Sequence, residues 1–123
     1  MMTQDIIVAL KDCGMEYEET LGRFMNKEEL LERFLKRFPE DTSYRHLKER
    51  LAAGNYKEAF SCAHTLKGVT ANLGLESLRR PASEITELLR YCEEQPVDSD
   101  RLREEWDVLQ QNYEKLQTIL SLL

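Results

Sequence analysis

Residues 62–75 read CAHTLKGVTANLGL. A histidine at 64 is followed by a lysine at 67, a glycine at 68 and a second glycine at 74. An imidazole is the side chain that can be both a nucleophile and a cation near neutral pH. An ammonium three residues further along a helix sits beside it. That pairing suits nucleophilic capture of an anionic group. A metal site is a poorer match, because the only other histidine, His46, lies 18 residues away and no Cys/His/carboxylate cluster accompanies either ring. The plain alternative is a solvated histidine on a helix surface, and for His46, beside Leu47 in a charged stretch, that is the reading adopted.

The helical wheel separates these readings. Each residue turns about 100°. Taking Leu66 as zero, Ala59, Cys62, Ala63, Val69, Thr70 and Leu73 fall within about 60° and form one core face. His64 lies about 160° away, with Lys57, Ser61, Gly68 and Ala71 beside it. His64 is therefore expected on the solvent side of a rigid element. Gly68 follows one turn later. A glycine inside a helix costs about 1 kcal/mol relative to alanine, which suggests that a partner must approach closely there. Ala71 keeps the next turn low, Phe60 offers an apolar shoulder, and Lys67 can reach whatever sits on the imidazole. A nucleophile, a cation and a cleared landing area describe a phosphorylation site on histidine better than a metal site.

The elements that hold this stretch are helical throughout. Apolar residues recur every three or four positions, and no strand is expected. Short helices fit residues 4–12, ended by Gly14, and 17–24. Asn26 is expected to cap a helix whose apolar stripe is Leu30, Leu31, Phe34, Leu35 and Phe38, with Glu29 at the capping-box position. Pro39 should break it. Residues 42–54 continue helically with Leu47 and Leu51 inward, closed by Gly54. Asn55 caps the helix that carries His64, residues 55–73, and Gly74 ends it. After a tight turn a further helix is expected over residues 76–95, with Pro81 either early in it or at a kink. The last, from about Ser99 to Ser121 with Asp98 or Ser99 as cap, places Leu102, Trp106, Leu109, Tyr113, Leu116 and Leu120 on one stripe; Trp106 and Tyr113 read as core. These patterns predict an all-α protein: an antiparallel four-helix bundle over 26–122, with accessory helices in 1–25 covering one end, the whole of 1–123 being one domain.

Bulk properties narrow the function classes. The chain has 123 residues and a net charge of −6, a poor match to nucleic acid or an anionic membrane. No stretch approaches the ~20 apolar residues of a membrane span, and the N-terminus has no basic signal region. Cys13, Cys62 and Cys92 have no CxxC spacing and read as reduced structural thiols of a cytoplasmic protein. Most of the Glu–Lys and Glu–Arg pairs read as solvated helix faces. No glycine-rich phosphate loop is present, so no ATP-dependent kinase activity is expected.

AHTLKGVTANLGL resembles the signature of the histidine-containing phosphotransfer (HPt) family, through His64, Leu66, Lys67, Gly68, Ala71, Asn72, Leu73 and Gly74. The resemblance extends weakly over most of the chain; Arg79-Arg80-Pro81 departs from the usual pattern. It implies a four-helix bundle and a phosphorelay carrier. A phosphoryl group would pass from the aspartyl phosphate of a response-regulator receiver domain to His64 and on to another receiver, within a hybrid or sensor histidine kinase system. Lys67 would stabilise the phosphoryl charge. Lys57, Phe60, Ser61, Gly68 and Ala71 would meet the partner. Mg²⁺ would come with the receiver, and this chain would act as a monomer without cofactor or metal. The alternatives are a receiver-binding module that transfers nothing and the phospho-accepting domain of a chemotaxis-type kinase.

Overall fold

The computed structural model describes residues 2–123. Seven α-helices follow one another: α1 (Gln4–Asp12), α2 (Tyr17–Arg23), α3 (Glu28–Arg37), α4 (Ser43–Ala52), α5 (Tyr56–Asn72), α6 (Glu76–Leu89) and α7 (Ser99–Leu120), with a 3₁₀ turn at Phe38–Glu40. There is no strand among the described residues; Met15 and Leu75 form an isolated antiparallel bridge.

Helix ends are set by local chemistry. Asn55 and Asp98 accept from the backbone N–H of Glu58 and Arg101, capping α5 and α7. At the other ends, α1, α2, α4 and α5 close with one paired turn. In α5 the N–H of Leu75 reaches Thr70 O at 2.9 Å and that of Gly74 reaches Ala71 O at 3.1 Å. Gly74 has φ +65°, and a Cβ there would collide with the Thr20 hydroxyl. Pro39 falls in the 3₁₀ turn, as its missing N–H predicts.

The four longer-range helices α4–α7 close into a ring. α5 packs between α4 and α6, and α6 packs on α7. Tyr44 of α4 completes the circuit by stacking on Trp106 (centroids 5.3 Å apart) and Tyr113 (3.7 Å) of α7. Leu47, Leu66, Leu78, Ile85, Leu89 and Leu109 are fully buried between them. This is the expected antiparallel bundle. α3 lays Leu31 and Leu35 into the same core.

Pro81 lies within α6 and is buried, and the helix runs through it. Proline cannot donate to the carbonyl four residues back. That carbonyl, Ser77 O, instead accepts from the Asn112 amide of α7 at 2.9 Å, so the group freed by the proline holds the neighbouring helix.

Several expectations need correction. Asn26 does not cap α3, whose N-cap position is Lys27 without a side-chain bond. Met25 and Asn26 both have positive φ and finish α2, with Met25 N–H on Gly22 O and Asn26 N–H on Leu21 O; asparagine tolerates that conformation, and here it stops one helix rather than starting the next. Phe34 is 43% exposed, turned outward to meet Phe24 edge-on at 5.3 Å. The helix expected to reach residue 95 ends at Leu89 and continues as turns. Among the Glu–Arg pairs, that of Arg80 and Glu105 at 3.2 Å is an exception to the solvated pattern on one side, since Glu105 is buried while Arg80 stays half exposed.

The N-terminal helices do cover one end of the bundle. Glu16 N–H bonds Gly74 O at 2.9 Å. Arg23 donates to Ala71 O at 3.1 Å and Asn72 O at 3.4 Å. These are the last carbonyls of α5, where a cation also meets the negative end of the helix dipole. α1 packs on α7.

Candidate functional site

α5 carries the site because its two faces differ sharply. Ala59, Ala63, Leu66, Thr70 and Leu73 are buried, and Cys62 and Val69 pack against that core. Thr70 can occupy a buried position because its hydroxyl bonds back to Leu66 O at 2.8 Å and Lys67 O at 3.1 Å. On the opposite face Lys57, Ser61, His64, Gly68 and Ala71 are exposed, as the wheel predicts.

Gly68 is not a packing requirement. A Cβ added there would meet nothing within 4 Å. Its φ is not positive, so the backbone does not demand glycine either. It leaves an open floor one turn beyond His64.

The ring of His64 lies 6.3 Å from that of Phe60, tilted by 58°. The guanidinium of Arg90, the residue that closes α6, sits 5.3 Å from the Phe60 centroid, a cation–π contact that holds it near that ring. Arg90 is in turn gripped by Glu87, with Nη2 to Oε1 at 2.8 Å and Nε to Oε2 at 3.1 Å. That hydrogen-bonded pairing lowers the Glu87 carboxyl below its ordinary value and raises Arg90; the charges of Arg90 and Lys67 add to the lowering of Glu87. Lys67 is half-buried and makes no ion pair of its own. Lys57, by contrast, is engaged at 3.3 Å with Glu93. Three cations and Phe60 thus border the His64 face on its α6 side.

On the α4 side, a cleft of about 210 Å³ is lined by Asp41, Thr42, Ser43, His46, Ser61, Cys62 and Thr65. His46 is half-buried there rather than a free surface residue. Beyond it, towards the end of α5, a wider groove of about 470 Å³ runs between Phe24, Phe34 and Val69, with Arg23 and Arg37 at its edges. Neither feature is visible from helical periodicity, since the first needs α4 and α5 side by side with the turn before α4, and the second needs the ends of α2, α3 and α5 together. Arg90 and Glu87 were likewise missed; their one sequence signal is the i, i+3 spacing of opposite charges.

Among the described residues no group of three or more His, Cys, Asp or Glu side chains could hold a metal ion. Cys13, Cys62 and Cys92 are free and half-buried, and burial raises the thiols of Cys13 and Cys62. Among the described residues no helix is long and apolar enough to cross a membrane.

Compared with known proteins, the chain matches the family model for the Hpt domain over residues 29–119. No curated protein and no solved structure matches it. The matched span takes in α4, α5 and α6 entire and nearly all of α3 and α7. The chain therefore belongs to the Hpt family, phosphotransfer carriers of two-component signalling.

Proposed function

We propose that His64 is the phospho-acceptor, taking a phosphoryl group from the aspartyl phosphate of a response-regulator receiver domain and returning it to a receiver aspartate. The observation that carries this is the exposed ring of His64 on a helix whose other face is locked in the core, with an open floor at Gly68 that nothing in the fold requires. A neutral ring nitrogen attacks phosphorus in line, the P–N bond forms, and the receiver carboxylate leaves with the electrons of the broken P–O bond. The reverse step returns the phosphoryl group, since a protonated imidazole is a good leaving group.

Such transfer depends on placement and on neutralising charge more than on covalent assistance. The receiver contributes the aspartate and its Mg²⁺. This chain contributes the ring, the Lys67 ammonium for a charge-assisted bond, and a docking face at Phe60, Ser61, Gly68 and Ala71, with Lys57 at its edge. The family assignment and the absence of a glycine-rich phosphate loop support a carrier over a kinase acting alone. We place it in a cytoplasmic relay headed by a hybrid or sensor histidine kinase, acting as a monomer.

The test is incubation with a panel of phosphorylated receivers. His64→Gln should abolish acid-labile labelling while helical circular dichroism and melting temperature stay near the parent's values, because His64 is exposed on the face of α5 opposite the core. Labelling that persists in H64Q refutes the assignment, and labelling that moves to His46 identifies the other histidine.

A further inference from the structure

We propose that Glu87 is a positioning residue that sets how strongly His64 holds a phosphoryl group, by occupying the cations that face it. This rests on the assignment of His64 above. Both oxygens of the Glu87 carboxylate are spent on the Arg90 fork, at 2.8 and 3.1 Å. The fork lies against Phe60, and Phe60 lies against His64. Lys67, one turn beyond His64, makes no ion pair, yet its charge is felt at the same carboxylate. The cations closest to the ring on the α6 side therefore share one exposed acid. Of the other acids near this edge, Glu93 pairs with Lys57 and Glu58 with Arg50, while Glu94 lines the same cleft as Phe60 and Arg90 and adds a background charge common to the parent and every Glu87 variant.

A phosphoryl group on the ring brings up to two negative charges to this edge. Glu87 opposes them in two ways. It repels them directly, and it keeps the Arg90 fork turned towards itself. The strength of the effect follows from Coulomb's law. At the separation these contacts imply, of order 10 Å across a protein surface, one unit charge changes the affinity of another by about 16-fold without salt and by about threefold after one Debye length of screening at physiological salt. Removing the Glu87 charge should favour the phosphoryl dianion over the monoanion. It should also favour phosphohistidine over the receiver's aspartyl phosphate by at least as much.

The chain can be tested without a receiver. The probe is phosphoramidate, which labels an accessible histidine directly, and the readout is a ³¹P NMR titration of the labelled protein. At physiological salt the proton affinity of the phosphoryl group in E87Q should fall about threefold relative to the parent, and in E87K by the same factor again. At 1 M salt both steps should shrink towards none. Glu87 is exposed, so a merely structural role would alter melting and leave this charge-ordered, salt-sensitive series unmoved. Labelled His64 with an unshifted titration, or a shift that salt does not reduce, overturns the inference about Glu87 alone. A parent protein that takes no label on His64 overturns the acceptor assignment and this inference with it.

Discussion

Substitution of Gly68 separates folding from docking. An added Cβ at this position meets nothing within 4 Å. The backbone φ is ordinary for a helix, so a side chain brings no strain. A good helix former should then stabilise α5 by up to about 1 kcal/mol over glycine, which for a domain of this size raises the melting temperature by about 3–6 °C. Gly68→Gln would at the same time place a side chain of several heavy atoms beside His64, where a receiver must close to bring phosphorus within reach of the ring. A displacement of about 1 Å in such a complex can cost 100-fold in rate. The assay is paired on one preparation: thermal melting with single-turnover transfer from a phosphorylated receiver, and labelling by phosphoramidate, which needs no docking. The expected result is a protein that melts higher, accepts from the small donor at near-parent rate, and accepts from the receiver at least 100-fold more slowly. Undiminished receiver transfer refutes the landing-area role of Gly68. A lower melting temperature refutes the claim that nothing in the fold needs glycine there.

Lys67→Ala should slow receiver transfer about thirtyfold without abolishing it, as loss of one charge-assisted contact of about 2 kcal/mol would; an unchanged single-turnover rate would show that the ammonium does not reach the phosphoryl group. Asn112→Leu should cost about 1–2 kcal/mol in chemical denaturation by orphaning Ser77 O, and restoring the helix bond with Pro81→Ala in the same chain should recover part of that loss. Gly74→Ala should cost at least about 2 kcal/mol, from its left-handed φ and the collision with Thr20, read as a lower denaturation midpoint. Burial pushes the Tyr44 phenol up to about 12. A pKa raised on folding contributes stability that is whole below the unfolded value near 10 and is lost as pH rises through the folded one. Tyr44→Phe should therefore flatten the loss of stability between pH 10 and 12, and an unaltered alkaline transition would contradict the burial argument.

Much of α5 was readable in advance because a single period decides which residues face the core. That is why Leu66 and His64 fall on opposite sides both on the wheel and in the fold. The same logic failed where a neighbour decides the outcome. Phe34 is on the apolar stripe of α3, yet it turns out towards Phe24, a partner from another helix. Asn26 has the chemistry of a cap, but which helix it serves depends on the sign of φ at 25 and 26. Arg80 and Glu105 look like any surface pair until α7 is laid over α6. At the site, His64, Lys67 and Gly68 lie within five consecutive residues and are therefore visible. Glu87 and Arg90 reach the same face only because the turn at Gly74 folds α6 back beside α5.

The closure of α5 by Glu16, Thr20 and Arg23 bears on what counts as the smallest working unit. The matched family span opens at residue 29, so a protein trimmed to that boundary would discard Arg23 and the partner of Gly74 O. It would also discard Leu10, Met15 and Tyr17 from the core. The fragment would keep every residue proposed to touch a phosphoryl group and still lose the brace at the far end of their helix. Fraying would begin at Leu73 and travel back towards Gly68, loosening the floor on which a receiver would stand. Sequence families delimit the shared part of a fold; here the private part holds the shared part still.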